Sequence, residues 1–207
     1  MIKLYGMGPS RWVKPYWLLR ELELPFEPIS RSIAKGETRT PEFLRLNPFG
    51  KVPVLEDGEL CIFESSAICT YLADKYSQGR LIPAAGSAAR ARHDQWMSFC
   101  VTELEQPLWR IMKHSFLIPE PKRLPAEVEY AREDFASLAQ NLDCCDFGDT
   151  LGAGFAAADI TLTYTLKWAT LPMVSGGRDL LAGAPRLRAY LDRHTARRAF
   201  PGELYAR

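Results

Sequence analysis

Residues 46–68 read Leu46-Asn-Pro-Phe-Gly-Lys-Val-Pro-Val-Leu-Glu-Asp-Gly-Glu-Leu-Cys-Ile-Phe-Glu-Ser-Ser-Ala-Ile68. Two short apolar runs, Val52 to Leu55 and Leu60 to Phe63, flank Glu56-Asp57-Gly58-Glu59. Asp-Gly between apolar runs is a strong hairpin signal, so these runs are predicted to be antiparallel neighbours. Glu64 to Tyr76 then carries Ile68, Tyr71, Leu72 and Lys75 at helical spacing, which predicts a helix directly after the hairpin.

Upstream, Ile2-Lys-Leu-Tyr5 alternates apolar and polar types and ends at Gly6 and Gly8, as a short strand leaving into a turn does. A helix from about Trp12 to about Glu23 follows. Pro15 lacks an N–H and fits only a first helical turn, which leaves Ser10 and Arg11 in the turn at the helix's amide end. A strand at Phe26 to Ser30 and a short helix at Pro41 to Leu46 complete a βαβαββα order. Downstream, Ser77 to Gly86 has the Gly, Pro and polar content of a linker. Strand signals stop there. Trp96, Cys100, Leu104, Leu108 and Ile111 recur at near-fourfold spacing with a kink expected at Pro107, and further helices are expected at about 124–142, 157–171 and 186–197. The expected organisation is an α/β domain over residues 1–78 and an all-α domain over residues 87–207.

The 207 residues include 26 Lys+Arg against 25 Asp+Glu, a net charge of +1. No strong field points to nucleic acid or an anionic membrane, so small molecules or proteins are the expected partners. The first residues hold neither a signal-peptide core nor a membrane span, and the cytoplasm is the expected compartment. Cys61, Cys69, Cys100, Cys144 and Cys145 show no CxxC spacing, and His93, His114 and His194 lie far apart. No disulfide framework and no metal site is assigned. The adjacent pair Cys144-Cys145 is unusual; neighbouring cysteines bridge only with backbone strain, which favours two free thiols.

Two constellations carry chemistry. Ser10 precedes a helix whose unpaired N–H groups and dipole favour negative charge. Its hydroxyl could donate to a thiolate, and one such bond is worth about 1.5–3 kcal/mol, roughly one to two pKa units. Helix capping is the competing reading of that serine. The second constellation joins Val52-Pro53 to Glu64-Ser65. An X-Pro step before a strand, if cis, turns the preceding backbone outward toward an extended ligand. Ser65 at a helix start suits a carboxylate and Glu64 an ammonium. Ordinary capping and a trans proline at a strand edge compete for each feature singly, but not readily for the set.

With these residues in view, the chain resembles the cytosolic glutathione transferases of the bacterial type with serine at the thiolate-stabilising position. The resemblance rests on Lys3-Leu-Tyr-Gly6, Ser10 to Glu27, Leu46 to Leu55, Phe63-Glu-Ser-Ser-Ala-Ile68 and Gly154-Phe-Ala-Ala-Ala-Asp-Ile160, and extends over essentially the whole chain. It implies a thioredoxin-like N-terminal domain (βαβαββα), an all-helical C-terminal domain, a homodimer, and glutathione as co-substrate. It further implies that Ser10 stabilises the thiolate, that the Val52 backbone before a cis Pro53 pairs with the cysteinyl part, that Lys51 reaches the glycyl carboxylate, and that Glu64 and Ser65 hold the γ-glutamyl end. The expected activity is attack of glutathione thiolate on an electrophilic small molecule or a peroxide. Met7, Trp12, Trp109, Met112 and Phe116 are the candidate apolar walls for the electrophile. A non-catalytic binding module and a glutathione-dependent disulfide reductase are the alternatives, the latter weakened by the lack of a cysteine near residue 10. The chain departs from the family at Ala156, where a Ser or Thr commonly pairs reciprocally with the residue at Asp159; a weaker helix cap is expected there, with Phe155 and Ile160 in the positions of a hydrophobic staple.

Overall fold

A computed structural model describes residues 1–206. The chain divides into two compact units, Met1–Ala85 together with the segment from Arg197 onward, and Gly86–Ala196. The helical domain expected to run through residue 207 thus ends at Ala196. Arg197 donates twice to the Glu21 carboxylate (2.8 Å each) and Phe200 packs edge-on against Trp17 at 5.1 Å, which fastens this segment to the first unit.

The first unit follows the order β1 (Ile2–Gly6), α1 (Val13–Glu21), β2 (Phe26–Ser30), α2 (Pro41–Leu46), β3 (Val54–Asp57), β4 (Leu60–Phe63), α3 (Ser65–Tyr76). Its sheet has the order β2-β1-β3-β4, with β1 parallel to β2 and the other pairings antiparallel. This is the thioredoxin-like βαβαββα arrangement. Strand β2 and helix α2 have the expected bounds. Strand β3 begins two residues later and ends two later than expected. Pro53 has no N–H for a ladder, and the turn needs only Gly58 and Glu59, since Asp57 already pairs with Leu60 and Gly58 takes a φ of 64°. Leu4, Val13, Trp17, Leu18, Leu55, Ile68 and Leu72 are wholly buried and form the core of this unit.

The second unit contains no strand among its described residues. Its helices are α4 (Ala88–Phe99), α5 (Glu105–Met112), α6 (Pro125–Asp143), α7 (Ala157–Ala169), the short α8 (Pro172–Ser175) and α9 (Pro185–Thr195). Between α4 and α5 the helix widens into a π turn at Cys100–Leu104, and the Glu105 N–H reaches back to the Cys100 carbonyl. Pro107 explains the break: it cannot donate to the Glu103 carbonyl, and its ring crowds that turn. Helix α7 is buried on nearly every side, as a central helix must be. It starts without the hydroxyl half of a capping pair. Asp159 nonetheless accepts from the Ala156 N–H (2.8 Å), and its other oxygen accepts from the Leu151 N–H (2.8 Å) and the Tyr190 hydroxyl. The carboxylate therefore ties the helix start to the preceding loop and to α9. Among the described residues no helix is long and apolar enough to cross a membrane.

Candidate functional site

The register of the sheet brings the sequence-predicted residues to one edge. Tyr5 pairs with Ile29 on one side and Val54 on the other, and Val54 pairs with Phe63. Beyond that row, β1 runs out through Gly6 toward Ser10, β3 is entered through Lys51, Val52 and Pro53, and β4 leaves into Glu64 and Ser65. All six candidates thus lie in the three chain segments that meet this end of the sheet, at the carboxyl ends of β1 and β4. That is the side of such sheets on which ligands bind.

Each segment is shaped locally. Gly6 is required because a Cβ there would meet the Trp12 ring at 2.3 Å. The Trp12 indole N–H donates to the Gly8 carbonyl (2.7 Å), closing the turn that carries Ser10. The Ser10 N–H reaches the Met7 carbonyl (3.4 Å) and its own carbonyl accepts from Val13 (3.0 Å), so the backbone is engaged at the start of α1. Its Oγ is buried and has no hydrogen-bond partner among the described residues. It caps nothing, which removes the competing reading of this serine.

The loop into β3 is held by Asn47, a buried residue to which the sequence reading assigned no role. Its amide donates to the Lys51 carbonyl (2.8 Å), its side-chain oxygen accepts from the Phe49 N–H (3.0 Å), and its backbone carbonyl accepts from Gly50 (2.9 Å). The Asn47-Pro48 pair is a turn signal by which it could have been found. Gly50 has a φ of 61°, and a Cβ there would lie 2.8 Å from the Thr38 carbonyl. Lys51 is exposed, Val52 half-buried and Pro53 buried, and the Val52–Pro53 bond is cis.

Glu64 is exposed and sits just before α3 with φ 73° and ψ 114°, and its side chain makes no capping bond. Two other non-glycine residues have positive φ, Glu23 and Gln78. Both follow helix C-termini, where a left-handed residue is routine. Glu64 stands at a helix N-terminus instead, where no such rule applies, and strained backbone of this kind clusters at functional sites. Ser65, 4% exposed, is the first residue of the twelve-residue α3. The unpaired N–H groups of that first turn make it an anion-binding end.

Tyr5 and Tyr16 are packing residues. Tyr5 is buried against Phe43 (6.1 Å) and its hydroxyl donates to Glu56; burial first, and then that carboxylate, push its pKa up to about 12. Tyr16 lies between Trp12 and Phe26. Of the candidate electrophile walls, Trp12 is buried in its own turn, Met7, Trp109 and Met112 are half-buried, and Phe116 is 50% exposed. An open groove of about 730 Å³, lined by Arg20, Glu21, Glu23, Arg197 and Arg198 among others, lies at the opposite end of α1 from Ser10 and includes none of the six candidates.

Residues 1–74 match the family described as glutathione S-transferase, N-terminal domain, and residues 121–193 the family described as glutathione S-transferase, C-terminal domain. A glutathione S-transferase of Arabidopsis thaliana is 37% identical over 60% of this chain and 58% of the relative, so the match spans little more than half of that protein. Glutathione S-transferase GstB of Escherichia coli is 36% identical over 69% of this chain and 70% of the relative. The crystal structure of a theta class glutathione S-transferase from Xanthomonas axonopodis pv. citri, with glutathione bound, aligns with a TM-score of 0.83 at 27% identity, covering 100% of this chain and 98% of that one. With both domain families matched in order along one chain, this protein belongs to the glutathione S-transferase family.

Proposed function

We propose that this protein binds glutathione at the edge formed by the ends of β1 and β4 and the start of β3, and activates its thiol for transfer to an electrophilic small molecule or a peroxide. The observation that carries the reading is the Ser10 hydroxyl, buried and without a partner among the described residues, on the segment that leaves β1 at the same sheet end as Val52–Pro53 and the start of α3. An orphaned buried hydroxyl costs free energy in the unliganded protein, and a ligand acceptor relieves that cost. Rotation about the Ser10 Cα–Cβ bond presents Oγ to the ligand.

The residues present suit each part of glutathione. The Ser65 hydroxyl and the first amide N–H groups of α3 donate to the γ-glutamyl carboxylate, and Glu64 pairs with the adjacent ammonium. The Val52 backbone lies outside the β3 ladder and pairs with the cysteinyl unit as an added strand would. Lys51 reaches the glycyl carboxylate. Held at these points, the sulfur meets the Ser10 O–H, which stabilises the ionised form. A charge-assisted bond of about 1.5–3 kcal/mol lowers the thiol pKa from about 8.5 by roughly one to two units, enough to make the nucleophile abundant near neutral pH. Proximity to an electrophile supplies the remainder. The naming of the curated relatives as glutathione S-transferases and the glutathione bound in the Xanthomonas structure support this assignment. The same family membership supports a homodimer in the cytoplasm. The first cysteine of the chain is Cys61, so no thiol near residue 10 favours disulfide exchange.

The test is a glutathione titration read by ultraviolet thiolate absorbance across pH, for wild type and Ser10→Ala. The expected result is a saturable signal with a lowered thiol pKa that Ser10→Ala abolishes, with turnover reduced roughly tenfold or more and affinity little changed. Unchanged turnover removes Ser10 from the mechanism, and no binding at millimolar glutathione points to a non-catalytic module.

A further inference from the structure

The adjacent cysteines at the end of α6 have no part in the proposed chemistry. Cys144 closes the helix and Cys145 follows it; both thiols are free and exposed, and the Cys145 Sγ donates to the Asn141 carbonyl at 3.5 Å. The backbone beneath them is anchored from α9. The Arg186 guanidinium donates to the carbonyls of Asp143 (2.8 Å), Cys145 (2.8 Å) and Phe147 (2.6 Å) and lies 4.7 Å over the Phe147 ring. The Leu187 N–H is bound by the Asp143 carboxylate at 2.7 Å. The pair is therefore presented to solvent on a fixed platform.

That platform disfavours a disulfide. The Cys144–Cys145 peptide is trans, since the one cis bond among the described residues is Val52–Pro53. A trans peptide holds its two Cα atoms about 3.8 Å apart, below the roughly 4.4–6.8 Å that a disulfide spans. Joining the sulfurs at about 2 Å would twist a backbone that Arg186 pins in place. A bridging atom removes the difficulty: it enlarges the ring by one member and leaves the sulfurs apart, bonded to a shared centre. The centre must be soft to prefer two sulfur ligands and must tolerate a narrow S–X–S angle. Trivalent arsenic meets both conditions.

We propose that Cys144 and Cys145 form a dithiol site that chelates trivalent arsenicals of the R–As=O class. Two As–S bonds form as the As–O bond is broken; the oxygen leaves as one water molecule carrying both thiol protons. Arsenic remains trivalent and no oxidant or reductant is required. The three remaining cysteines cannot reproduce the arrangement, because Cys69 and Cys100 are buried and Cys61 has no adjacent cysteine in the sequence.

The test is intact-mass analysis of the full-length protein after treatment with phenylarsine oxide, followed by excess 2-mercaptoethanol. Monothiols strip arsenic held by one sulfur, whereas a chelate is released only by a dithiol such as 2,3-dimercaptopropanol. One phenylarsenic per chain that survives 2-mercaptoethanol is expected, lost in Cys144→Ser and in Cys145→Ser and retained in Cys61→Ser. In the unsubstituted protein, peptide mapping is expected to show that phenylarsine oxide protects Cys144 and Cys145 from iodoacetamide and leaves Cys61 reactive. An adduct that persists in either single variant, or one that 2-mercaptoethanol removes from wild type, overturns the proposal.

Discussion

At the end of the sheet where β3 meets its hairpin, Asp57 accepts three bonds to one oxygen, from the Tyr76 hydroxyl (2.6 Å), the Tyr71 hydroxyl (2.7 Å) and the Lys75 ammonium (2.7 Å). At the other end of the same strand, entered through Val52 and Pro53, the Ser10 hydroxyl has no partner among the described residues and Glu64 holds a positive φ. Helix α3 links the two, beginning with Ser65 at one end and closing with Tyr71, Lys75 and Tyr76 at the other. One end satisfies its polar groups within the chain; the other leaves them for something outside it. The lesson is a division of labour along a single strand: the hairpin end stabilises the unit, and the Ser10 end, which stores unsatisfied and strained groups, is where the proposed binding would return free energy.

The comparison breaks first at Asp57. Asp57→Ala removes the acceptor that ties the hairpin to the last turn of α3, and a loss of about 2 kcal/mol in urea unfolding is expected, the size of hydrogen bonds to a charged group at a site that is 12% exposed. Glutathione affinity should be unchanged in the folded variant. If stability holds and affinity falls, the division is wrong.

The same carboxylate sets a pH dependence. Burial alone would raise its pKa, but the donors Lys75, Tyr76 and Tyr71 outweigh burial and hold it at about 2, below the ordinary 3.8. A depressed carboxylate contributes stability that is complete above its unfolded value and is lost as pH falls through its folded one. The stability gap between wild type and Asp57→Asn should therefore be constant above about pH 4–5 and close between about 4 and 2. Asp159 in the second unit acts with the opposite sign. There burial outweighs the bonds from Tyr190, Leu151 and Ala156 and raises the pKa, so its contribution is greatest at low pH and diminishes as pH rises. A gap for Asp57→Asn that widened on acidification would refute the assignment.

At the binding end, Ser65→Ala removes a hydroxyl proposed to meet the γ-glutamyl carboxylate. Roughly tenfold weaker glutathione binding by calorimetry is expected, the worth of one bond to a charged group, with unfolding midpoints alike in the absence of ligand. Equal affinity would move the γ-glutamyl end elsewhere.

Much of this division was legible in the residues. Asp-Gly fixed the hairpin, and Ser10, Val52-Pro53 and Glu64-Ser65 stood out by type and spacing. Other features depend on tertiary context that residue types do not encode. Asp57 read as part of a turn, because its tie to Tyr71 and Tyr76 exists only once α3 lies against β3. Pro107 announced a break in the helix, but the π turn at Cys100–Leu104 follows from which carbonyl the Glu105 N–H finds. The four-residue α8 is too short to show a period, and the docking of Arg197 on Glu21 joins groups 176 residues apart. At the site itself, that the Ser10 hydroxyl lacks a partner and that Glu64 is strained are properties of the folded backbone alone.

The strain at Glu64 gives the smallest effect and the sharpest form of the comparison. A non-glycine residue at φ 73° outside a helix C-terminus costs on the order of 1–3 kcal/mol, whereas glycine, with no Cβ, takes a positive φ at less cost. Glycine also gains entropy in the unfolded chain, which returns roughly 0.5–1 kcal/mol of the difference. Glu64→Gly should therefore stabilise the unliganded protein by a net of about 1 kcal/mol in urea unfolding while weakening glutathione binding, because the carboxylate proposed to meet the ammonium is gone. Glu64→Gln separates the two contributions: it keeps the strain and removes the charge, so affinity should fall with stability unchanged. A glycine variant less stable than wild type would mean that the backbone at residue 64 is not strained, and the contrast between the two ends of β3 would then rest on the Ser10 hydroxyl alone.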